Sequence, residues 1–187
     1  MIVLGVDPGT LITGYGIIET KNGKVTVLAC GAIKNRSEVA MPNRLQQIYE
    51  TLSKVITRFH PDEFAIETAF YGKNAQSALK LGHARGVSML AAVSQNLVTH
   101  EYSPREIKKA IVGKGTASKE QVQYMVKSLL HLKVMPKEYD VTDALAVAIC
   151  HTHRVRSGVG SKSFKSWKAY ATAHPEKLRS THRMPTK

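Results

Sequence analysis

The 187-residue chain carries 27 Lys+Arg against 14 Asp+Glu, a formal net charge of +13, with 43% hydrophobic and 22% charged residues. That composition excludes a disordered or fibrous protein, and the length suits one domain able to bury a core without disulfides or metals for support. The longest run free of Asp, Glu, Lys and Arg, Gly86 to His100, is 15 residues, too short to span a membrane.

The chain opens Met1-Ile2-Val3-Leu4-Gly5-Val6-Asp7, an apolar run with no basic leader; it predicts a cytoplasmic protein and a buried strand closed by the Asp7-Pro8-Gly9 turn. Strands follow at Gly14 to Glu19 and Lys24 to Ile33, joined by Asn22-Gly23, a strong hairpin signal. Leu45, Ile48, Tyr49, Leu52, Val55, Ile56 and Phe59 recur at three- and four-residue spacing, which predicts a helix from Pro42 to Arg58. Glu63 to Glu67 reads as a short strand and Ala75 to Gln95 as a long helix. In that helix Ala78, Gly82 and Gly86 form a ridge of small residues, suited equally to packing on the sheet or to a subunit contact.

Leu97 to Tyr102 makes a fifth strand, Ser118 and Gln121 form a capping box, and a last helix starts near Tyr139. Three meandering strands followed by alternating helix and strand predict an α/β fold, a five-stranded mixed sheet flanked by helices. A boundary falls after residue 155, where periodicity gives way to Ser157-Gly158-Val159-Gly160-Ser161. Residues 156–187 hold 8 Lys+Arg and 1 Asp+Glu, so half of the net charge sits in a basic tail expected to be flexible. Phe164, Trp167 and Tyr170 alternate there with Lys162, Lys165 and Lys168. Cys30 and Cys150 read as reduced packing residues, and His151 and His153, on different sides of a helix, as surface or interface residues rather than joint metal ligands.

The excess of positive charge favours a polyanionic partner, since phosphates neutralised by Lys or Arg release counterions. The few negative charges are more specific. Asp7 and Glu67 each end a strand, and Asp140 and Asp143 share one face at the start of the last helix. Singly, each suits a structural role, such as a turn or a helix N-terminus. Together, with both strands central, they form a carboxylate cage whose hard oxygens select Mg²⁺ or Mn²⁺ and suit two-metal phosphodiester chemistry.

Gly5-Val6-Asp7-Pro8-Gly9-Thr10 with Thr13-Gly14-Tyr15-Gly16, then Ala65-Ile66-Glu67, Lys73-Asn74, Ser77 to Gly82, Ala84 to Val87, and Asp140-Val141-Thr142-Asp143-Ala144-Leu145-Ala146 occur in order. This series resembles the RuvC family of Holliday-junction resolvases over residues 1 to about 153. The resemblance implies a ribonuclease-H-like fold, a homodimer, and paired Mg²⁺-dependent nicking of four-way DNA junctions in recombination and repair, leaving 5′-phosphate ends. It also implies Asp7, Glu67, Asp140 and Asp143 as catalytic metal ligands, collaboration with the RuvA and RuvB branch-migration proteins, and DNA contacts at Phe70, Lys108 and Lys119. Where members often have Ser-Arg after the Asp-Pro-Gly turn, this chain has Thr10-Leu11, so one phosphate contact is missing.

Three further DNA contacts are read from the residues. Lys114 lies in Gly113-Lys114-Gly115-Thr116, a basic loop leading into a helix N-terminus but without the glycine spacing of a Walker A loop. Tyr71 and Lys73 accompany Phe70 on a polar loop, where aromatics can stack on unpaired bases. The competing readings are another ribonuclease-H-like nuclease acting on RNA or duplex DNA, and a non-catalytic junction binder. An actin-type ATPase also begins with a similar loop, but the second Asp-x-Gly loop it requires is missing from this sequence.

Overall fold

A computed structural model describes residues 1–68 and 75–156; Ala69 to Asn74, and Ser157 onward, lie outside the described residues. Residues Met1–His153 form one compact unit. Its sheet is built from β1 (Ile2–Asp7), β2 (Ile12–Lys21), β3 (Lys24–Lys34), β4 (Glu63–Glu67) and β5 (Val98–Tyr102), in the order β3-β2-β1-β4-β5. The first three strands form an antiparallel meander, whereas β4 pairs parallel to β1 and β5 parallel to β4. Asn22 and Gly23 both take positive φ (51° and 80°), the conformation a two-residue hairpin with native twist demands.

Helices α1 (Met41–Phe59) and α2 (Ala75–Val93) cover one face; α3 (Pro104–Val112), α4 (Lys119–Leu129) and α5 (Tyr139–Arg156) cover the other. The two-residue period of a strand sorts the side chains. Leu4 and Val6 of β1, with Phe64 and Ile66 of β4, pack toward α1 and α2. Val3 and Ala65 pack toward α5. Gly5, Asp7, Glu63 and Glu67 therefore belong to the α5 face.

The expected elements recur with ends shifted by at most two residues, and α3 is an additional helix. Its signal is local: Ser103 accepts from the Glu106 N–H, Glu106 reaches back to the Ser103 N–H, and Pro104 occupies the first turn. Two side-chain expectations are corrected. Cys150 is fully buried, but Cys30 is exposed on the half-covered edge strand β3. His151, expected at the surface, is 1% exposed, because α5 is buried around nearly its whole circumference between Val141 and Thr152.

Candidate active site

The site begins with how closely α5 approaches the sheet. A methyl group on Gly5 would overlap the Ala144 carbonyl and lie 2.8 Å from the Ala148 Cβ. On Gly14, which pairs with Asp7 across the hairpin, it would overlap the Asp140 backbone carbonyl. The two glycines thus let the first turns of α5 rest directly on β1 and β2, which carries Asp140 and Asp143 to the end of β1. Gly14→Ala should cost about 1–3 kcal/mol, the usual penalty of overpacking, seen as a lower urea midpoint. It should also displace Asp140 and Asp143 from the end of β1, because α5 must move; a wild-type urea midpoint in the G14A protein would contradict this account.

The turn after Asp7 is held from inside. Thr13, fully buried, donates its hydroxyl to the Gly9 carbonyl at 2.6 Å and accepts the Gly9 N–H at 3.3 Å. On β4, Glu67 lies beside Asp7 at the same end of the sheet, since Val6 pairs with Ile66.

Electrostatics report the convergence of all four acids. Burial pushes the Asp7 carboxyl from its usual 3.8 up to about 8, helped by repulsion from Glu67, Asp143 and Asp140 and opposed by Lys119. Burial likewise raises Glu67 to about 7, with repulsion from Asp143 adding to it and Lys119 and Lys108 pulling it down. Such crowding is relieved by a shared proton or by a cation. An ammonium already stands in for one: Lys119 Nζ lies 2.9 Å from Asp143 Oδ2. Burial works against the Lys119 charge, but its hydrogen bond to Asp143 and the charges of Asp143, Asp7 and Asp140 outweigh it and hold the ammonium above its usual range. An all-oxygen donor set with two members held near neutrality fits Mg²⁺ or Mn²⁺.

A cleft of about 200 Å³ opens over two of these acids, Glu67 and Asp143, and is lined also by Lys108, Lys119 and the apolar Pro104, Ile107, Val122 and Ala146; Asp7 and Asp140 are not in its lining. Lys108 projects from α3 and Lys119 from the first turn of α4, whose N-terminus Ser118 and Gln121 cap as expected. Lys114 is not brought into this lining; its side chain is exposed in the α3–α4 link, where its backbone carbonyl accepts the Ala117 N–H. Phe70, Tyr71 and Lys73 lie outside the described residues. Sequence reasoning missed Tyr139, 60% exposed, with Lys119 Nζ 5.3 Å from its ring centroid. Its place one residue before Asp140 was the available signal.

A mixed sheet of this order, with carboxylates at the ends of its two central strands and at the start of the helix laid across them, defines a ribonuclease-H-like fold with an acidic centre. The family model for the crossover junction endodeoxyribonuclease RuvC matches residues 3–151. The protein of that name from Pelodictyon phaeoclathratiforme is 45% identical over 183 residues, covering 94% of this chain and 96% of that protein. The Alkaliphilus oremlandii protein is 50% identical over 153 residues, 82% and 93% of the two chains. Among solved structures, T. thermophilus RuvC in complex with a Holliday junction substrate superposes with a TM-score of 0.81 at 33% identity, covering 84% of this chain and 96% of that one. This chain belongs to the RuvC family.

Among the described residues, no helix is long and apolar enough to cross a membrane.

Proposed function

We propose that this protein is a structure-selective endonuclease that resolves four-way DNA junctions by paired, metal-dependent nicks leaving 5′-phosphate ends, with Asp7, Glu67, Asp140 and Asp143 as its catalytic centre. The observation that carries the reading is geometric: α5 lies directly on β1 and β2 and brings Asp140 and Asp143 to the end of β1, where Asp7 stands beside Glu67 under a cleft rimmed by Lys108 and Lys119. These four residues would hold the cations. Bound there, two Mg²⁺ or Mn²⁺ ions supply the positive charge that stabilises the attacking and leaving oxygens of an in-line displacement.

The chain's own groups do the rest. Asp7, Glu67 and Asp143 would hold the ions, and Asp140 would complete the set or accept a proton from the attacking water. Lys108 and Lys119 meet the phosphate backbone at the rim. The apolar Pro104, Ile107, Val122 and Ala146 lower the polarity of one wall of the cleft and so strengthen the charge interactions beside it. Phe70 and Tyr71 follow Glu67 closely enough in sequence to stack on bases unpaired at the crossover, with Lys73 beside them. Association with RuvA and RuvB rests on family membership.

Paired nicks need two centres. On α2, Leu79, Leu90 and Val93 are exposed, and a methyl built on Gly82 or Gly86 meets no atom of the described residues within 4 Å. The open space over these glycines supports a subunit contact there, and spacing of three and four residues places these five positions on one stripe. Gly86→Lys should convert a dimer to monomer in sedimentation, with single nicks replacing paired ones. A dimer of wild-type affinity in that variant would place the contact elsewhere.

The function is tested by incubating a synthetic four-way junction and a matched linear duplex with the protein, with Mg²⁺ or with chelator. Symmetric nicks in the junction alone, lost in chelator, are expected. Equal cutting of the linear duplex would instead favour a general nuclease.

A further inference from the structure

The sheet face that carries Asp7 and Glu67 at one end carries a second ionisable group at the other. Glu63 opens β4 on the same face as Glu67, about 13 Å from it at roughly 3.3 Å per residue. His100 of β5 and His151 of α5 close on it: their Nε2 atoms lie 2.9 and 2.7 Å from Glu63 Oε2. The two rings lie 4.5 Å apart between centroids. Behind His151, the Tyr102 hydroxyl is 2.7 Å from its Nδ1. His151 follows Asp143 by eight residues, about 12 Å along α5 at roughly 1.5 Å per residue, so the two groups are separate.

We propose that Glu63, His100 and His151 form a second metal site, taking a divalent transition-metal ion of the zinc type and distinct from the all-carboxylate centre. Two imidazole nitrogens and one carboxylate oxygen are a donor set that zinc favours, with a fourth position left for water; hard-oxygen cations such as Mg²⁺ have no preference for it. The three donor atoms all lie within 4.8 Å of one another. Donors around a tetrahedral ion with bonds of about 2.0–2.1 Å are roughly 3.4 Å apart, so small side-chain adjustments suffice.

Both imidazole Nε2 atoms converge on a single carboxylate oxygen, the arrangement that a cation placed among the three would hold together. The Tyr102 hydroxyl suits both states, donating to Nδ1 when Nε2–H faces Glu63 and accepting from Nδ1–H when Nε2 faces a cation. Access is from solvent past Glu63 and His100, whose side chains are 27% and 37% exposed. Because each ligand comes from a different element, the ion would fasten the edge strand β5 to β4 and α5.

The test is a Co²⁺ titration of the intact protein in excess Mg²⁺, which occupies the oxygen-only centre. Four-coordinate Co²⁺ with two imidazoles gives an intense visible band; six-coordinate Co²⁺ among oxygens gives a weak one. An intense band saturating at one equivalent and displaced by Zn²⁺ is expected, retained in Asp7→Asn and lost in His100→Ala, whose half-exposed side chain can be removed without opening the core. Zn²⁺ should also raise the melting temperature of the wild type by several degrees but not that of His100→Ala. The proposal is overturned if no intense band forms, or if it survives at full strength in both His100→Ala and Glu63→Ala.

Discussion

Asp7→Asn should abolish junction cleavage while leaving junction binding intact or stronger. Asp7 would be one of the residues that hold the cations, and all three other acids act on it. Losing one preorganised electrostatic element at a reacting centre costs on the order of 10²–10³-fold in rate. Binding should not suffer, because Lys108 and Lys119 at the rim remain, and Asn removes any negative charge that Asp7 carries toward phosphate as pH rises past about 8. Single-turnover cleavage with a gel-shift measurement of affinity separates the two effects. Cleavage by Asp7→Asn at a rate near wild type would remove Asp7 from the catalytic centre.

The same substitution should stabilise the metal-free protein, and the gain should depend on pH. The Asp7 carboxyl is raised from 3.8 to about 8 on folding, so between those values the folded state holds a proton that the unfolded state has lost. Stability therefore falls as pH rises through this window and reaches its lowest contribution above pH 8. Below pH 3.8 both states are protonated and the group contributes nothing. Asp7→Asn removes the penalty, giving a gain on the order of 2–4 kcal/mol at alkaline pH once solvent screening at the open cleft is allowed for. Melting in chelator should rise by ~5–15 °C at pH 9 and hardly at all in strong acid. Added Mg²⁺ should reverse the order by stabilising the wild type and leaving the variant nearly unmoved. Equal melting of the two proteins in chelator at pH 9 would mean that the acids are not crowded.

The electrostatic cost of gathering the acids is the counterpart of the proposed function. Four acids are drawn together at the end of a buried sheet, and Lys119, 2.9 Å from Asp143, offsets only part of the repulsion. The zinc-type site proposed at the far end of the same strand face would work differently, with a softer donor set fastening the outer edge of the sheet.

Much of this was legible in the chain. The buried run ending at Asp7, the Asn22-Gly23 hairpin, the apolar stripe of α1 and the Ser118–Gln121 capping box are written in residues within a few positions of one another, and each formed as expected. The α3 capping box was equally local and was overlooked beneath the lysines that follow it. The order of motifs carried the family, and with it the four acids.

What local signals could not carry is which distant residues meet. Asp140 and Asp143 reach Asp7 because Gly5 and Gly14, more than 120 positions earlier, leave α5 room to lie on the sheet. His151 read as a surface residue because its partners, Glu63, His100 and Tyr102, belong to three other stretches of sequence and meet it only across the packed core. The sequence by itself determined the elements, the acidic set and the family, since periodicity, capping and turn chemistry act over a few residues. The tertiary structure alone decided the crowding that raises Asp7, the Lys119 counter-charge and the histidine cluster. Each depends on packing between elements far apart in the chain, where burial and mutual charge act through space rather than along it.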